Sequence, residues 1–484
     1  MSQAGRILKN FSILFACRIF VRIFSFILVV LIARLLGDEG MGRYTFIFSY
    51  VTLFAVFADF GINEMLIREI SKDKDRARSY VGAAFLLKGL LSFLVLLVLV
   101  FSDRFFHLQR EVYLAIVLWG LASILNTFSG VIISLFRPYE LMEFEAASQI
   151  LNTILAAILG LLVLLLGYGI PAIFLMYLLS SLINFFFVLC LSFKTILKIR
   201  IRKEDFQWAW PLFRLAFPFA WGTIFGAVIA RVDVVMLQAM RNEAEVGWYG
   251  APYRLIEIFM FFPSTFTIAI YPAMSRYYKE SIEKWHQLYQ HGLKAMFILG
   301  LPIALGTTLI APRLIPLLFG VQFLKSVPAL QILIWRAFLI FFTGGIFAIV
   351  VTSSYNVHYF NVFAFVATLV NIGLNMVLIP RYGYIGCSVA TVATELIIFV
   401  SGLFILTKII KQKAKFGILA RPLLAGIVMF GATWTFRALP LWEVVLMAAA
   451  VYSFSLFLMK AWTKEEVELL MGLMKRKSVK TVSL

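Results

Sequence analysis

The sequence predicts an all-α polytopic membrane protein of about fourteen transmembrane helices, arranged as two six-helix lobes plus two C-terminal helices. Three observations predict it. Fourteen apolar stretches recur along the 484 residues. Each is near the ~20 residues that a helix rising about 1.5 Å per residue needs to cross a hydrocarbon core about 30 Å thick. The composition is 62% apolar and 14% charged, with a mean hydropathy of +0.94, which leaves little polar surface to cover a soluble domain. The longest segments between stretches, near 192–214, 273–291 and 461–484, are too short to bury cores of their own. Any transport or chemistry therefore belongs inside the helix bundle or at its edges.

In order, the spans fall at 11–36, 44–62, 80–101, 113–135, 146–166, 170–191, 211–237, 246–271, 291–311, 327–351, 360–379, 384–407, 419–436 and 441–460. The first reads as a span rather than a cleaved signal peptide. Its apolar run continues to Leu36, Arg18 and Arg22 interrupt it, and no small-residue cleavage site follows. Gly37 stops it, Gly167 and Gly169 separate the fifth and sixth spans, and Pro380 closes the eleventh. Two basic linkers, at 194–205 and 408–415, divide the chain. They leave an N-lobe at 1–205 with spans 1–6, a C-lobe at 206–410 with spans 7–12, and spans 13 and 14 with a cytoplasmic tail at 411–484. Gly42-Arg-Tyr44 after the first span matches Gly247-Trp-Tyr249 after the seventh, 205 residues later. Each follows an acidic turn, Asp38-Glu39 or Glu243-Ala-Glu245. Two blocks of like topology imply two lobes around a central pathway.

With basic residues beside a span end counted in the adjoining loop, placing residues 1–10 in the cytoplasm and alternating sides puts 29 Lys and Arg inside and 9 outside, and leaves 6 of the 44 deep within spans. The positive-inside rule thus accounts for the net charge of +19 without a nucleic-acid partner. It also places both termini in the cytoplasm of a cell (plasma or inner) membrane. Trp208, Trp210, Trp285, Trp442 and Trp462 lie near predicted interfaces, where amphipathic rings anchor. Cys17, Cys190 and Cys387 have no metal-ligand spacing and read as small packing residues.

Catalysis has little to stand on. His107, His286, His291 and His358 are scattered and none is placed mid-membrane. No H-E-x-x-H, G-x-S-x-G or G-x-x-x-x-G-K-[ST] motif occurs. No enzyme activity and no cofactor are expected, and transport energy must come from a gradient. Gly222 and Gly226 form a G-x-x-x-G that suits close helix packing.

Charges inside the spans carry the functional signal, because a charge at mid-bilayer costs about 2.5–3.5 kcal/mol even on the lenient insertion scale. Arg18, Arg22, Lys88, Arg231, Arg254 and Arg336 are the basic ones, and Asp233, Glu257 and Glu395 the acidic ones, with Asp59 near the end of the second span. Arg18 and Arg22, spaced i, i+4, share one helix face. Arg231 and Asp233 point in different directions, and Arg254 and Glu257 have pairing distance in sequence. Lys88 reads either as a cavity residue or as one that snorkels, Arg336 either as a cavity residue or as a donor to helix ends, and Glu395 as a buried carboxyl. The six basic residues suit a cationic cavity that selects an anion such as phosphate or pyrophosphate, whose oxygens match the guanidinium fork. Asp59, Asp233 and Glu257 are candidates for coupling to H+ or Na+.

The segment Asn371-Ile-Gly-Leu-Asn375-Met-Val-Leu-Ile-Pro380-Arg-Tyr-Gly383-Tyr-Ile-Gly386-Cys-Ser-Val-Ala390-Thr391 resembles the N-x3-N-x3-I-P-x-Y-G-x-x-G-x-x-x-A-T pattern of polysaccharide transporters of the oligosaccharide flippase type. Their superfamily also holds multidrug and toxin exporters and the lipid II flippase. Asn371 and Asn375 share a helix face and can hydrogen-bond to a neighbour. The stretches 33–44, 59–69 and 231–255 are similar to the family's first outer turn, second helix end and R-x-D segment. Gly250-Ala251-Pro252 departs from the family's small-residue pattern, and Pro252 is placed to kink the eighth helix. The resemblance implies a two-lobed, alternating-access flippase. Its partners would be membrane lipid and a polyprenyl-pyrophosphate-linked oligosaccharide carried from the cytoplasmic to the outer leaflet for cell-surface polysaccharide. The alternatives are an ion-coupled multidrug exporter of the same fold, a membrane-embedded glycan polymerase or acyltransferase, and a scaffold for lipid-linked intermediates.

Overall fold

The structure is a computed structural model that describes residues 3–106, 108–196, 203–353, 357–410 and 416–461. Among these every regular element is helical. The α-helices are α1 (Gln3–Asp59), α2 (Ile62–Lys72), α3 (Ala77–Val100), α4 (Asp103–Phe106), α5 (Arg110–Phe136), α6 (Met142–Leu165), α7 (Ile170–Thr195), α8 (Phe206–Met240), α9 (Glu243–Phe259), α10 (Phe261–Glu280), α11 (Ile282–Phe319), α12 (Val327–Ile340), α13 (Ala348–Ser353), α14 (Val357–Ile410), α15 (Ala420–Thr435) and α16 (Leu441–Leu458). Twelve helical stretches among the described residues are long and apolar enough to cross a membrane. The protein is an all-α, multi-pass membrane protein.

α1 and α14 are 57 and 54 residues long. Either would measure about 80 Å if straight, more than twice a bilayer core. Neither is straight. Gly37 breaks α1 at φ 73°, ψ −170°, and Gly383 breaks α14 at φ 56°, ψ −136°. Glycine reaches positive φ without the steric cost that a Cβ imposes. The stop after the eleventh span thus falls at Gly383, three residues beyond Pro380. The carbonyls exposed there are capped by Arg241, whose Nε and Nη2 donate to the oxygens of Ile379 (3.1 Å) and Pro380 (2.7 Å). The helix likewise runs through Pro252, and the interruption between α9 and α10 comes at Met260.

Helix faces are inside out relative to a soluble bundle. On α3, Leu90, Phe93, Leu94 and Leu97 are exposed, whereas Lys88 and Ser92 are buried. Lipid is as apolar as leucine, so an apolar outer face costs nothing, and polar groups must find partners within the protein.

The chain forms two compact units. Unit 1 comprises Met1–Leu255, Leu318–Ser326 and Ala364–Ala390. Here α5 packs on α7, and α6 on α1 and α7. α2 buries Ile62, Met65, Leu66 and Ile70, one helical face, against Val81 and Ala84 of α3, Leu135 of α5 and Leu212 of α8. Polar pairs stitch α6 to α7: Ser148 donates to Asn184 (2.9 Å), and Ser180 to the Asn152 side-chain oxygen (2.7 Å). Cys17 is buried against the carbonyl of Ala146. Where α5 ends, Arg137 forks onto Glu145 at 2.8 and 2.7 Å, and that hydrogen-bonded carboxylate raises the guanidinium's already high pKa.

Unit 2 comprises Ile256–Leu317, Val327–Phe363 and Thr391–Leu484. Its centre is an aromatic core that includes Trp285, Tyr289, Phe341, Phe342 and Phe347. Phe341–Phe347 is a π-helical turn, a local widening that frees backbone carbonyls. The Thr267 hydroxyl lies 3.1 Å from the freed oxygens of Gly344 and Gly345. α15 and α16 pack together and close on α11 through Ile298, Met429 and Leu456, with the Tyr452 hydroxyl donating to the Ile298 carbonyl at 3.0 Å.

Candidate functional site

The two repeat signatures meet in unit 1. A Cβ on Gly42 would collide with the backbone carbonyl of Glu243, and a Cβ on Gly247 with that of Asp38. Only hydrogen at both positions lets the two helix starts cross this closely. Side chains repeat the exchange. Arg43 donates to the Glu243 carboxylate at 2.5 Å, and the Trp248 indole to the Asp38 carboxylate at 2.9 Å. Asp38 and Glu243 are themselves 205 residues apart, as are Gly42 and Gly247, so the contact is reciprocal. Glu245 adds a further tie by accepting the Tyr384 backbone N–H at 2.9 Å, beside the Gly383 break.

A cavity of about 260 Å³ opens within unit 1, walled by α1, α5, α6, α7 and α9. Tyr44, of the first Gly-x-Tyr, lines it with Phe48, Trp119 and Tyr177. The Tyr44 and Tyr177 hydroxyls are 3.0 Å apart, and Phe48 stacks on Trp119 at 5.4 Å. Asn126, Asn152, Thr153 and Ser181 supply neutral polar groups. Among the described residues Arg254 is the one charged residue of the lining. Its guanidinium lies over the Phe48 ring at 4.4 Å, and that of Arg231 over the same ring at 5.3 Å. An aromatic face stabilises a guanidinium in low dielectric by about 0.5–2 kcal/mol, so one phenyl ring helps to hold two cations, of which Arg254 lines the cavity.

The remaining sequence-named residues divide by surroundings. Lys88 is wholly buried, and its ammonium donates to Asp59 (2.6 Å), Asn63 (2.8 Å) and the Thr127 carbonyl (3.2 Å). It joins α1, α2, α3 and α5 rather than snorkelling. Asp233 is buried and accepts from Asn375 Nδ2 (2.7 Å) and the Tyr249 hydroxyl (3.1 Å), while Asn375 also donates to Asn371 (3.1 Å). Asn375 thus finds its neighbour in α8, with Asn371 tied to it on the same helix. In unit 2, Arg336 and Glu395 pair at 3.8 Å, both buried, and Thr343 donates to Glu395 at 2.6 Å. Glu257 is half-buried in unit 2, and Arg22 half-buried on α1. The side chain of Arg18 lies outside the described residues. Arg231 and Arg254 are the pair of sequence-named arginines that share one ring at the cavity.

Sequence reasoning missed Phe48, Trp119, Asn126, Asn152 and Tyr177. The aromatic residues are indistinguishable from packing residues in an apolar run. Asn126 and Asn152 did carry a signal, as amides placed mid-span, but the sequence reading weighed ionisable groups.

Residues 7–278 match the profile of a family described as polysaccharide biosynthesis protein. The chain is 24% identical over 434 residues to the "Probable low-salt glycan biosynthesis flippase Agl15" of Haloferax volcanii, covering 88% of this chain and 89% of that protein. It is 20% identical over 402 residues to the "Capsular polysaccharide biosynthesis protein CapF" of Staphylococcus aureus, covering 81% and 97%. Among solved structures, it is similar to "Lipid II flippase MurJ, inward closed conformation" with a TM-score of 0.73 and 16% identity, over 92% of this chain and 98% of that one. It is also similar to an inward-facing multidrug resistance MATE family transporter, with a TM-score of 0.66 and 16% identity, over 81% and 96%. At these identities the structural likeness shows the fold alone.

Proposed function

The chain belongs to the polysaccharide biosynthesis protein family, within the superfamily of polysaccharide and oligosaccharide flippases, and from that premise we propose that it flips a polyprenyl-pyrophosphate-linked oligosaccharide from the cytoplasmic to the outer leaflet of the cell membrane. The observation that carries the reading is the pair Arg231 and Arg254 over the Phe48 ring, with Arg254 lining a cavity whose other named polar groups are neutral. A guanidinium offers two parallel donors to a phosphate, and in a low-dielectric cavity that match is worth more than in water. Arg22, half-buried on α1, is assigned to the same anion site by the proposal, as is Arg18, whose side chain lies outside the described residues. Lys88 and Arg336, each held by a carboxylate, serve the architecture.

Counting α1 and α14 as two spans each turns twelve apolar stretches into fourteen, an even number that suits the proposed cytoplasmic placement of both termini. Two six-helix lobes then alternate access. The reciprocal contact of the 38–43 and 243–248 turns must part in one state and close in the other. A central carboxylate such as Asp233, hydrogen-bonded by Asn375 and Tyr249, is suited to exchange H+ or Na+ during that change. A multidrug exporter of the same fold would hold organic cations by acidic groups. Here Asp59, Asp233 and Glu395 are each engaged by protein donors.

Arg254→Ala, Arg254→Lys and Arg254→Glu test the reading. Lipid-linked intermediate in the inner leaflet, measured beside protein abundance, is expected to rise in the order Lys, Ala, Glu. Lys retains charge without the fork, and Glu repels the anion. Normal export by Arg254→Glu at normal abundance would exclude this anion site.

A further inference from the structure

The cavity beside Arg254 is built for something other than phosphate. Its named polar lining is amide and hydroxyl, and its named apolar lining is largely aromatic. Trp119 lines the cavity, and its buried indole N–H has no hydrogen-bond acceptor among the described residues. In a membrane interior an unsatisfied donor is costly, so a ligand oxygen at this wall that draws the indole N–H to it removes that cost. The Asn152 side-chain oxygen is already held by Ser180, which leaves its NH2 as the end it can offer. Asn126 adds an amide with both donor and acceptor ends. At about 260 Å³ the cavity is smaller than the roughly 300–1,000 Å³ that drug-sized ligands occupy.

We propose that this cavity holds one neutral pyranose, the sugar attached directly to the pyrophosphate, with Trp119, Asn126 and Asn152 as its hydrogen-bonding residues and the ring seated among Tyr44, Trp119 and Tyr177. The chemistry fits point by point. A pyranose presents hydroxyls that both donate and accept, which amides match better than charges do. Its C–H faces are apolar and suit aromatic walls. Arg254, at the same cavity, places the sugar next to the phosphate it is linked to. A prenyl chain would leave the amides and the indole N–H without partners. The inference rests on the flippase reading and assigns a subsite within it.

The full-length protein in nanodiscs tests both together. The probes are polyprenyl pyrophosphate alone and the same lipid carrying one glucose, galactose or N-acetylglucosamine. The wild type is expected to bind at least one sugar-bearing lipid about tenfold tighter than the bare lipid, the yield of one or two well-made hydrogen bonds. Trp119→Phe combined with Asn126→Ala should erase that gain and leave bare-lipid affinity within about twofold, which also shows that the variant is folded. Arg254→Ala should weaken both lipids by the same factor. The subsite is overturned if no sugar tightens binding, if the double variant keeps the gain, or if the double variant loses bare-lipid affinity equally, since the cavity would then hold the lipid or its phosphate. Failure of the wild type to bind bare polyprenyl pyrophosphate would overturn the flippase reading, and this subsite with it.

Discussion

Unit 1 buries cations in two ways. Lys88 is enclosed: a carboxylate, an amide and a backbone carbonyl take its three ammonium donors, and no part of it is exposed. Arg231 and Arg254 instead lie against one phenyl ring, half-buried, with Arg254 on the wall of a cavity. The comparison teaches that charge within a span has two uses. A charge matched inside the protein locks helices together, because breaking it strands the partner in low dielectric. A charge set against an aromatic ring beside a cavity stands where cargo can reach it. Spacing along the chain does not distinguish the two, and surroundings do.

The largest expected effect falls on the enclosed charge. Lys88→Met leaves the Asp59 carboxylate, the Asn63 amide oxygen and the Thr127 carbonyl without their donor, a loss of about 3–5 kcal/mol. Membrane abundance and thermal stability should both collapse. Adding Asp59→Asn should restore part of the loss, because the stranded charge is gone. A stable Lys88→Met protein that fails only in transport would move Lys88 into the cavity class.

Arg254→Glu should be the mirror case, with transport reduced by at least about tenfold and stability changed by less than about 1 kcal/mol. Parallel unfolding and export assays on the two variants show directly whether the contrast holds.

The crossing turns come next. Gly42→Ala and Gly247→Ala each place a methyl group against a backbone carbonyl that cannot swing aside. Both should loosen the contact and raise labelling of a cysteine at position 43 or 248 by an impermeant thiol reagent. Because the contact is reciprocal, the two effects should agree within about twofold. Unchanged labelling in both would mean that the crossing is no gate.

The smallest effect is expected for Phe48→Leu. It removes the ring beneath two guanidiniums, about 0.5–2 kcal/mol, while both charges remain. Cargo affinity should fall severalfold with no change in abundance. An effect as large as that of Arg254→Glu would make the ring itself a cargo contact.

Much of this protein is determined by sequence alone. Apolar stretch length sets the spans, because a bilayer core has one thickness. Gly37 and Gly383 mark turns, because positive φ excludes most other residues. The matched Gly-x-Tyr signatures single out two turns 205 residues apart that meet in the fold. These are local properties, and local chemistry suffices to read them. Where Pro380 suggested a boundary, the helix continued to Gly383, because a missing N–H is tolerated when neighbouring groups satisfy the freed carbonyls. Partnership was decided only by tertiary structure. Nothing near Lys88 in the chain names Asp59 as its partner, or sends Asn375 to Asp233 across 142 residues. Nor does any local signal separate Trp119 of the cavity from a tryptophan of the core. Those roles depend on which helix faces meet, and that is settled by packing over the whole unit, because a buried polar group must find its partner wherever the fold supplies one.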